Sequence, residues 1–272
     1  MKGFAVALTL TTLAFGCSGF GGSSGVLELS SVEALAEGKA LMAEEEYGKA
    51  RSYLIHAFEI EPNSVNGREG LLLAADSMFL AGGHRNYVKA QARYRDFLNR
   101  FPTSDRAAYA QFQLGLSIAR RMVRPDRDMS ISTEALGAFE DVRRFYPTSE
   151  YAELAAAEAV LVRHHLARHE LIVARFYMRY QRYGTAFAAI DRMEKILEDY
   201  PTFPETDAVL FYLCRAYSTS GTEGLQEKAR KTSFRLQTQY PESKYVKKLP
   251  KNLGSVSDEQ GVDIVVPADG GV

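Results

Sequence analysis

Apolar residues recur along most of this chain at spacings of three, four and seven positions, the period of a helix with one buried face. The clearest pattern begins at an alanine that lies twelve residues before a proline. It occurs five times, at Ala50, Ala90, Ala135, Ala189 and Ala229. Larger apolar residues follow four and often seven positions later: Leu54 and Ala57, Tyr94 and Phe97, Phe139 and Val142, Met193 and Ile196, and, less regularly, Leu236 with Ser233 and Phe234. The pattern predicts five helices that each bury one face.

A proline motif follows each of these predicted helices. Its five copies are Glu61-Pro62-Asn63-Ser64, Phe101-Pro102-Thr103-Ser104, Tyr146-Pro147-Thr148-Ser149, Tyr200-Pro201-Thr202 and Tyr240-Pro241-Glu242-Ser243. Proline lacks an N–H group and disfavours helical backbone at the residue before it. A serine or threonine just beyond the proline is a good N-cap for a new helix. The motif therefore predicts that one helix ends and the next begins at each of these positions.

A small alanine, an apolar stripe and a terminal proline are typical of the second helix of a tetratricopeptide repeat. Gly38, twelve residues before Ala50, matches the small residue of the first helix in such a repeat. The five prolines lie 40, 45, 54 and 40 residues apart. These spacings exceed the 34 residues of a consensus repeat, so longer helices or loops are expected. We predict an all-α, tetratricopeptide-like helical solenoid of about five helix pairs over residues 31–245. The alternative is a generic helical bundle whose prolines are spaced by chance.

Local sequence signals predict where the individual helices begin and end. Ser30-Ser31-Val32-Glu33 fits a capping box and predicts the start of the first helix. Breaks are predicted near Glu46, Gly82-Gly83, Pro125 to Ser130, Gly184 and Gly221. Residues 246–272 lose the helical period and are predicted to form a disordered tail. Within this tail, Ile264-Val265-Val266 is a short apolar segment that is either solvated or docked on a partner.

Residues 1–16 resemble a bacterial lipoprotein signal peptide. Lys2 precedes an apolar stretch of 14 residues, from Gly3 to Gly16, which is too short to span a bilayer and suits a signal sequence. A small residue then precedes Cys17, as in a lipobox, so Cys17 is the predicted site of lipidation, including palmitate. Residues 17–30 would form a Gly/Ser-rich tether that reaches roughly 20 Å as a flexible coil. The alternative is an ordinary cleaved signal peptide that leaves Cys17 free.

Charge and motif content narrow the classes of function. The formal net charge of −1 gives no basic footprint for general nucleic-acid binding. The sequence contains no Gly-rich phosphate loop, HExxH or GxSxG motif. His165 and His169 lie one helical turn apart and could share a metal, as a hydrolase would require, but a third ligand is not evident and a solvated basic helix face is favoured. Asp126 and Asp128 suit loop-fixing or capping roles. We therefore predict a protein that is not an enzyme and has no metal or cofactor.

Several stretches of the chain resemble one known family. They are Pro125-Asp126-Arg127-Asp128, Ala135 to Pro147, Tyr151-Ala152, the segment with Leu166, Glu170, Val173, Ala174 and Tyr177, and Ala189-Ile190-Asp191-Arg192 followed by Asp199-Tyr200-Pro201. Together with the lipobox, they resemble the BamD family, the tetratricopeptide lipoproteins of the outer-membrane β-barrel assembly (BAM) complex. The resemblance covers about residues 17–245.

This resemblance implies a lipid-anchored adaptor at the cell outer membrane that faces the periplasm. Its implied partners are the POTRA domains of a BamA-like barrel protein, other BAM lipoproteins and unfolded outer-membrane protein clients. The C-terminal repeats would dock on BamA, and the N-terminal repeats would recognise the clients. Arg192 matches a family arginine that is tied to coupling with BamA, and Asp191, Asp199 and Tyr200 belong to the same motif. The alternative role for Arg192 is a surface ion pair with Glu194 or Asp191.

The chain also departs from the family pattern. Glu61-Pro62-Asn63-Ser64 stands where the family has an aromatic residue followed by Pro-Phe-Gly, which calls into question the client-binding role of the N-terminal repeats. Other periplasmic repeat lipoproteins, such as a pilotin or a scaffold of the Tol–Pal system, are the alternative functions. The Asp126 loop and the long unit between Pro147 and Pro201 argue against them.

Overall fold

The computed structural model describes residues 26–180, 185–219 and 223–250, and these residues form α-helices with short connections and no strand. The ten helices are α1 (Ser31–Ala43), α2 (Tyr47–Ile60), α3 (Val65–Ala81), α4 (His84–Arg100), α5 (Ala107–Ala119), α6 (Ser130–Phe145), α7 (Glu150–Tyr180), α8 (Thr185–Asp199), α9 (Thr206–Thr219) and α10 (Glu223–Gln239). None of the described helices is long and apolar enough to cross a membrane. The predicted leader, Cys17 and the breaks at Gly184 and Gly221 lie outside the described residues.

The chain divides into two compact units, Met1–Ser77 and Met78–Val272. In the first unit, α1 begins with the predicted capping box, because Ser30 Oγ accepts a hydrogen bond from the Glu33 N–H and the Glu33 carboxylate accepts one from the Ser30 N–H. Gly38 lets α1 approach α2 closely, since a Cβ at this position would lie 2.6 Å from Cδ2 of Leu54. The small residue predicted for the first helix therefore makes the contact that the repeat requires.

In the second unit, each helix from α4 to α10 packs against the next one along the chain. Helix α5 also contacts α7, and α7 also contacts α9, so the first helices of successive pairs lie side by side. This neighbour-to-neighbour packing is the arrangement of a helical solenoid. The pair α7–α8 contains the 31-residue helix α7, which accounts for the long spacing between Pro147 and Pro201.

The predicted apolar stripes form the core of the helix pairs. All five stripe alanines have no exposed surface, and Leu54, Tyr94, Phe139, Met193 and Leu236 are also completely buried. They lie on α2, α4, α6, α8 and α10, the second helix of each pair. The prediction of an all-α, tetratricopeptide-like fold with about five helix pairs is therefore confirmed.

The five proline motifs adopt one common turn. In each, the N–H three residues after the first motif residue donates to the carbonyl of that residue, at 3.0–3.1 Å: Ser64 to Glu61, Ser104 to Phe101, Ser149 to Tyr146, Phe203 to Tyr200 and Ser243 to Tyr240. The predicted caps form at Ser64 and Ser149, whose hydroxyl oxygens accept the N–H groups of Gly67 and Tyr151. The first four motifs thus end one helix pair and start the next one, and the fifth ends the last pair.

The described chain continues beyond the predicted boundary at residue 245. Val246–Lys248 forms a single 3-10 turn, and Leu249 packs against the apolar residues of α9 and α10. The start of the predicted tail is therefore folded up to this point, because Tyr245, Val246 and Leu249 supply apolar surface that the loss of helical period did not indicate. Residues 251–272 lie outside the described part of the chain.

Candidate partner-binding site

Helices α7 and α8 form a surface pocket of about 420 Å³. It is lined by Glu170, Tyr177, Ala188, Asp191, Arg192, Lys195, Ile196, Asp199 and Tyr200. All four residues proposed from the sequence for partner binding, Arg192, Asp191, Asp199 and Tyr200, therefore lie in one site. The heptad spacing of the α7 residues and the repeated three- and four-residue spacings on α8 place these side chains on facing surfaces of the two helices.

Arg192 lies at the centre of the electrostatics of this pocket. Its guanidinium donates a hydrogen bond to the carboxylate of Glu170 on α7 and lies over the ring of Tyr177, 5.8 Å from the ring centroid. Burial by itself disfavours the cation, but the hydrogen bond and charge of Glu170 outweigh this effect, so the pKa of Arg192 is raised. The Arg192 side chain remains 35% exposed and that of Glu170 32%. A partner can therefore reach a charge pair whose position is already fixed.

The alternative pairing of Arg192 with Glu194 or Asp191 is not what the structure shows. Arg192 crosses to α7, whereas Glu194 accepts hydrogen bonds from the Tyr217 hydroxyl at 2.6 Å and from Lys228 Nζ at 2.8 Å. The two neighbouring positions on α8 therefore face different helices. The sequence alone could not show that Arg192 pairs with Glu170, because Asp191 and Glu194 are both much nearer to Arg192 along the chain.

Tyr200 and Asp199 end helix α8 and form the opposite end of the pocket. The Tyr200 N–H donates to the carbonyl of Ile196 at 3.0 Å, which fixes the last turn. The Tyr200 ring packs partly against the core of the last helix pairs. Burial, followed by the negative charges of Asp199 and Glu170, raises the pKa of its hydroxyl, so this group is a neutral hydrogen-bond donor and acceptor at neutral pH.

Glu170, Tyr177 and Lys195 were not proposed as site residues from the sequence. Glu170 and Tyr177 are seven positions apart, and this spacing places them on the same face of α7. That signal was available, but it did not show which face of the 31-residue helix meets α8. Lys195 lies one turn beyond Asp191 and gave no distinct sequence signal.

The histidines of α7 do not form the solvated basic face that was favoured from the sequence. His165 bridges the Ser132 hydroxyl at 3.2 Å and the Val123 carbonyl at 2.9 Å, and His169 Nδ1 lies 2.6 Å from the Pro125 carbonyl. His164 contacts the Thr202 hydroxyl at 3.2 Å. These rings attach the loop before α6 and the turn after α8 to helix α7. In the part of the chain that the structure describes, no group of three or more His, Cys, Asp and Glu residues is arranged to hold a metal.

The aspartates of the loop before α6 have the local roles that were favoured for them. The Asp128 carboxylate accepts hydrogen bonds from the Ser130 hydroxyl at 2.6 Å and the Ser130 N–H at 3.1 Å. These bonds lower the pKa of Asp128. Asp126 forms an ion pair with Arg124 at 3.3 Å. Asp128 therefore fixes the backbone where helix α6 begins, and Asp126 makes a side-chain contact within the loop.

The chain is similar to several known proteins. Residues 28–233 match the model of a family described as YfiO, outer membrane lipoprotein. The outer membrane protein assembly factor BamD of Rickettsia prowazekii is 30% identical over 219 residues, covering 79% of this chain and 84% of that protein. BamD of Haemophilus influenzae is 28% identical over 234 residues, covering 82% and 86%. A solved tetratricopeptide-repeat protein of Thermus thermophilus is 15% identical, with a TM-score of 0.35 and coverage of 80% and 95%. The chain belongs to the YfiO family of outer membrane lipoproteins, whose named relatives here are BamD assembly factors.

Proposed function

We propose that this protein is a lipid-anchored adaptor of the outer-membrane protein assembly machinery. Membership of the family associates the chain with the outer membrane and with the assembly of its proteins. In the proposal, the protein faces the periplasm, has no enzymatic activity, and binds the POTRA domains of a BamA-like barrel protein through the pocket between α7 and α8. It would thereby help to deliver and insert β-barrel proteins, beside other BAM lipoproteins.

The observation that carries the proposal is the partly exposed pair of Arg192 and Glu170 inside the pocket. An ion pair of this exposure contributes only about 0–1 kcal/mol to folding, so stability alone is a weak reason for its position. Fixed charges at the rim of a contact surface do govern the rate and specificity of association. Behind the pair, Met193 and Ile196 are buried in the core and hold α8 in place. The pocket is therefore a rigid surface that carries charges of both signs.

The adaptor role is also supported by the state of the reactive side chains. Cys214 is completely buried, and burial raises the pKa of its thiol to about 11, which makes it a poor nucleophile at neutral pH. The histidines of α7 are engaged with backbone carbonyls and hydroxyls of neighbouring segments. In the described residues, these groups are used for packing and for fixing loops.

The anchor is the second part of the proposal and rests on the lipobox at Cys17. Several acyl chains on one cysteine give stable membrane attachment, whereas a single chain gives only marginal binding. Attachment raises the effective concentration of the adaptor for other membrane-bound partners without any new contact. Cys17→Ala should abolish palmitate labelling and release the protein from membranes. If Cys17→Ala protein still labels and still sediments with membranes, the anchor assignment is wrong.

The experiment that tests partner binding is affinity purification from detergent-solubilised envelopes with wild-type, Arg192→Glu and Arg95→Glu proteins. Arg95 is the matched control because it also crosses to another helix to pair with a glutamate, Glu134, at 3.4 Å. We expect a BamA-like barrel protein to co-purify with the wild type and with Arg95→Glu, and to be lost from Arg192→Glu. If the barrel protein is recovered equally with all three proteins, binding through the pocket is refuted but the adaptor role is not.

A charge-exchange variant separates contact with a partner from support of the fold. In Arg192→Glu combined with Glu170→Arg, the ion pair between α7 and α8 can form again with its charges exchanged. If the pair acts only by holding the helices, this double variant recovers partner binding. We expect it to recover stability and not binding, because the partner would meet reversed charges. Recovery of pilus or Tol–Pal components by the wild type, with no barrel protein, would refute the proposal and favour another class of repeat lipoprotein.

A further inference from the structure

A groove of about 900 Å³ lies in the second unit between α8 and α10, with α9 as its floor. Its apolar lining includes Leu197, Leu210, Leu213 and Phe234. The α10 wall carries Lys231 and Arg235, and the α8 wall carries Glu194 and Glu198. Glu194 accepts hydrogen bonds from the Tyr217 hydroxyl and from Lys228. A groove with an apolar floor and one cationic wall suits a short apolar segment that has an acidic neighbour.

We propose that residues 262–267 of this chain, Val-Asp-Ile-Val-Val-Pro, occupy this groove in the same molecule. The described chain stops at residue 250, beside the groove. Leu249 packs on the apolar cluster of Leu210, Phe211 and Leu236, and Leu210 also lines the groove. The segment from residue 251 onward therefore starts next to the surface that it would cover.

The reach of the chain is sufficient for this contact. Ile264 lies fourteen positions after Pro250, and a chain of that length spans about 20 Å as a coil. The groove-lining stretch of α10, from Lys231 to Gln239, is only about 12 Å long at the rise of an α-helix. Because both parts belong to one molecule, the effective concentration of the segment at the groove is on the order of millimolar. Weak contacts are therefore enough to populate the docked state.

The chemistry of the segment fits the groove. Three consecutive β-branched residues, Ile264-Val265-Val266, favour extended backbone. Alternate side chains of an extended segment point the same way, so Val262, Ile264 and Val266 can face the apolar floor together. Asp263 and Val265 then point away from the floor, toward the rim of the groove, where Lys231 and Arg235 of α10 are exposed. Residues 251–272 contain four acidic residues and one lysine, which matches this cationic wall.

The charges of the groove are available for such a contact. Arg235 Nε donates to the neutral Gln239 side chain at 2.9 Å, and Lys231 makes a long ion pair with Glu227, at 3.7 Å. On the opposite wall, Glu194 is already compensated by Lys228 and Tyr217, so its charge opposes an acidic segment only weakly. Tyr200 lines both this groove and the pocket that contains Arg192. The docked segment would therefore lie beside the proposed partner site, although its docking does not depend on that proposal.

The test is disulfide trapping in the full-length lipoprotein, purified in detergent and oxidised under dilute conditions. Val265→Cys is combined with Thr238→Cys, which lies in the groove, or with Gln237→Cys as the control. Gln237 is the preceding residue on α10, is exposed like Thr238, and does not line the groove. We expect the disulfide to Thr238→Cys to form about ten-fold faster than the one to Gln237→Cys, within one chain. The two linked peptides are identified by mass spectrometry.

A second variant tests whether the segment itself is recognised. Asp263→Lys and Ile264→Asp are added to the variant with Val265→Cys and Thr238→Cys. The rate of disulfide formation should then fall to that of the Gln237→Cys control, because the charge at position 263 is reversed and a charge at position 264 would face the apolar floor. Equal rates at positions 237 and 238, or no disulfide at either position, would overturn the proposal. Disulfides formed only between two chains would also overturn it and would assign the groove to a second copy. None of these readouts involves a barrel protein, so they are independent of the proposed adaptor role.

Discussion

The close approach of paired helices can be tested by adding a single methyl group to α5. Gly115 lies on α5 opposite the completely buried ring of Phe139 on α6, and a Cβ at Gly115 would lie 2.7 Å from Cε1 of that ring. The ring cannot move away easily, because it is buried against Phe112, at a centroid distance of 6.0 Å. Gly115→Ala should therefore force α5 and α6 apart.

The expected magnitude follows from two opposing effects. Replacing glycine by alanine inside a helix stabilises it by about 0.5–1 kcal/mol when nothing obstructs the methyl group. Overpacking a well-filled core costs about 1–3 kcal/mol. The matched control is Gly137→Ala on α6, where a Cβ would meet nothing within 4 Å. Gly137→Ala should gain stability, and Gly115→Ala should be less stable than it by about 1–3 kcal/mol.

The assay is urea unfolding followed by circular dichroism, with thermal melts as a second measurement. A difference of 1 kcal/mol corresponds to about 2–4 °C in Tm for a protein of this size. In a Phe139→Leu background the cost of Gly115→Ala should decrease, because the smaller side chain leaves room for the methyl group. If Gly115→Ala stabilises the protein as much as Gly137→Ala does, the close packing of α5 on α6 is refuted.

Three further predictions concern caps, pH and thiol reactivity. Ser149→Ala should cost about 1 kcal/mol in urea unfolding, because the hydroxyl caps the first turn of α7; an unchanged midpoint would contradict the cap. Burial by itself would raise the pKa of Glu194, but the hydrogen bonds that its carboxylate accepts lower this pKa below the ordinary value of 4.5. The ionised carboxylate therefore stabilises the fold above pH 4.5. This stabilisation is lost as the pH falls through the lowered pKa. In urea unfolding, Tyr217→Phe should therefore cost about 1 kcal/mol at pH 7 and progressively less as the pH is lowered below 4.5. A cost that does not change with pH would refute the link. Cys214 should resist a thiol reagent at pH 8 until the protein unfolds in urea, since burial raises its pKa to about 11; rapid labelling of the folded protein would show that this core is open.

The repeat architecture was accessible from the sequence because each of its signals is local. The residue at each alanine position must be small so that two helices can approach, the stripe that follows must be apolar at helical spacing, and the proline must lie outside the helix. These constraints located α2, α4, α6, α8 and α10 before any coordinates. The length of α7 could not be predicted in the same way. The spacing between Pro147 and Pro201 gave only the combined length of α7 and α8, because no residue of α7 signals where this helix ends. The fold of residues 246–250 was missed because a single 3-10 turn contains too few residues to show a periodic pattern.

The candidate site was only partly accessible from the sequence. The motif around Arg192 indicated α8, and the structure brings its four proposed residues together in one pocket. The partner of Arg192 could not be found in this way, because Glu170 is 22 residues away and the contact depends on how α8 packs against α7. The roles of the three histidines were misjudged for the same reason, since their hydrogen-bond partners lie 33–44 residues away.

The most direct test of the adaptor role is site-specific photo-crosslinking in living cells. A photoreactive amino acid is placed at Asp191, an exposed residue of the pocket between α7 and α8, and in a separate strain at Asn99, an exposed residue of α4. We predict that a BamA-like barrel protein is crosslinked from position 191 and not from position 99. Equal crosslinking from both positions, or no barrel protein at position 191 in a strain with normal protein levels, would contradict binding through this pocket.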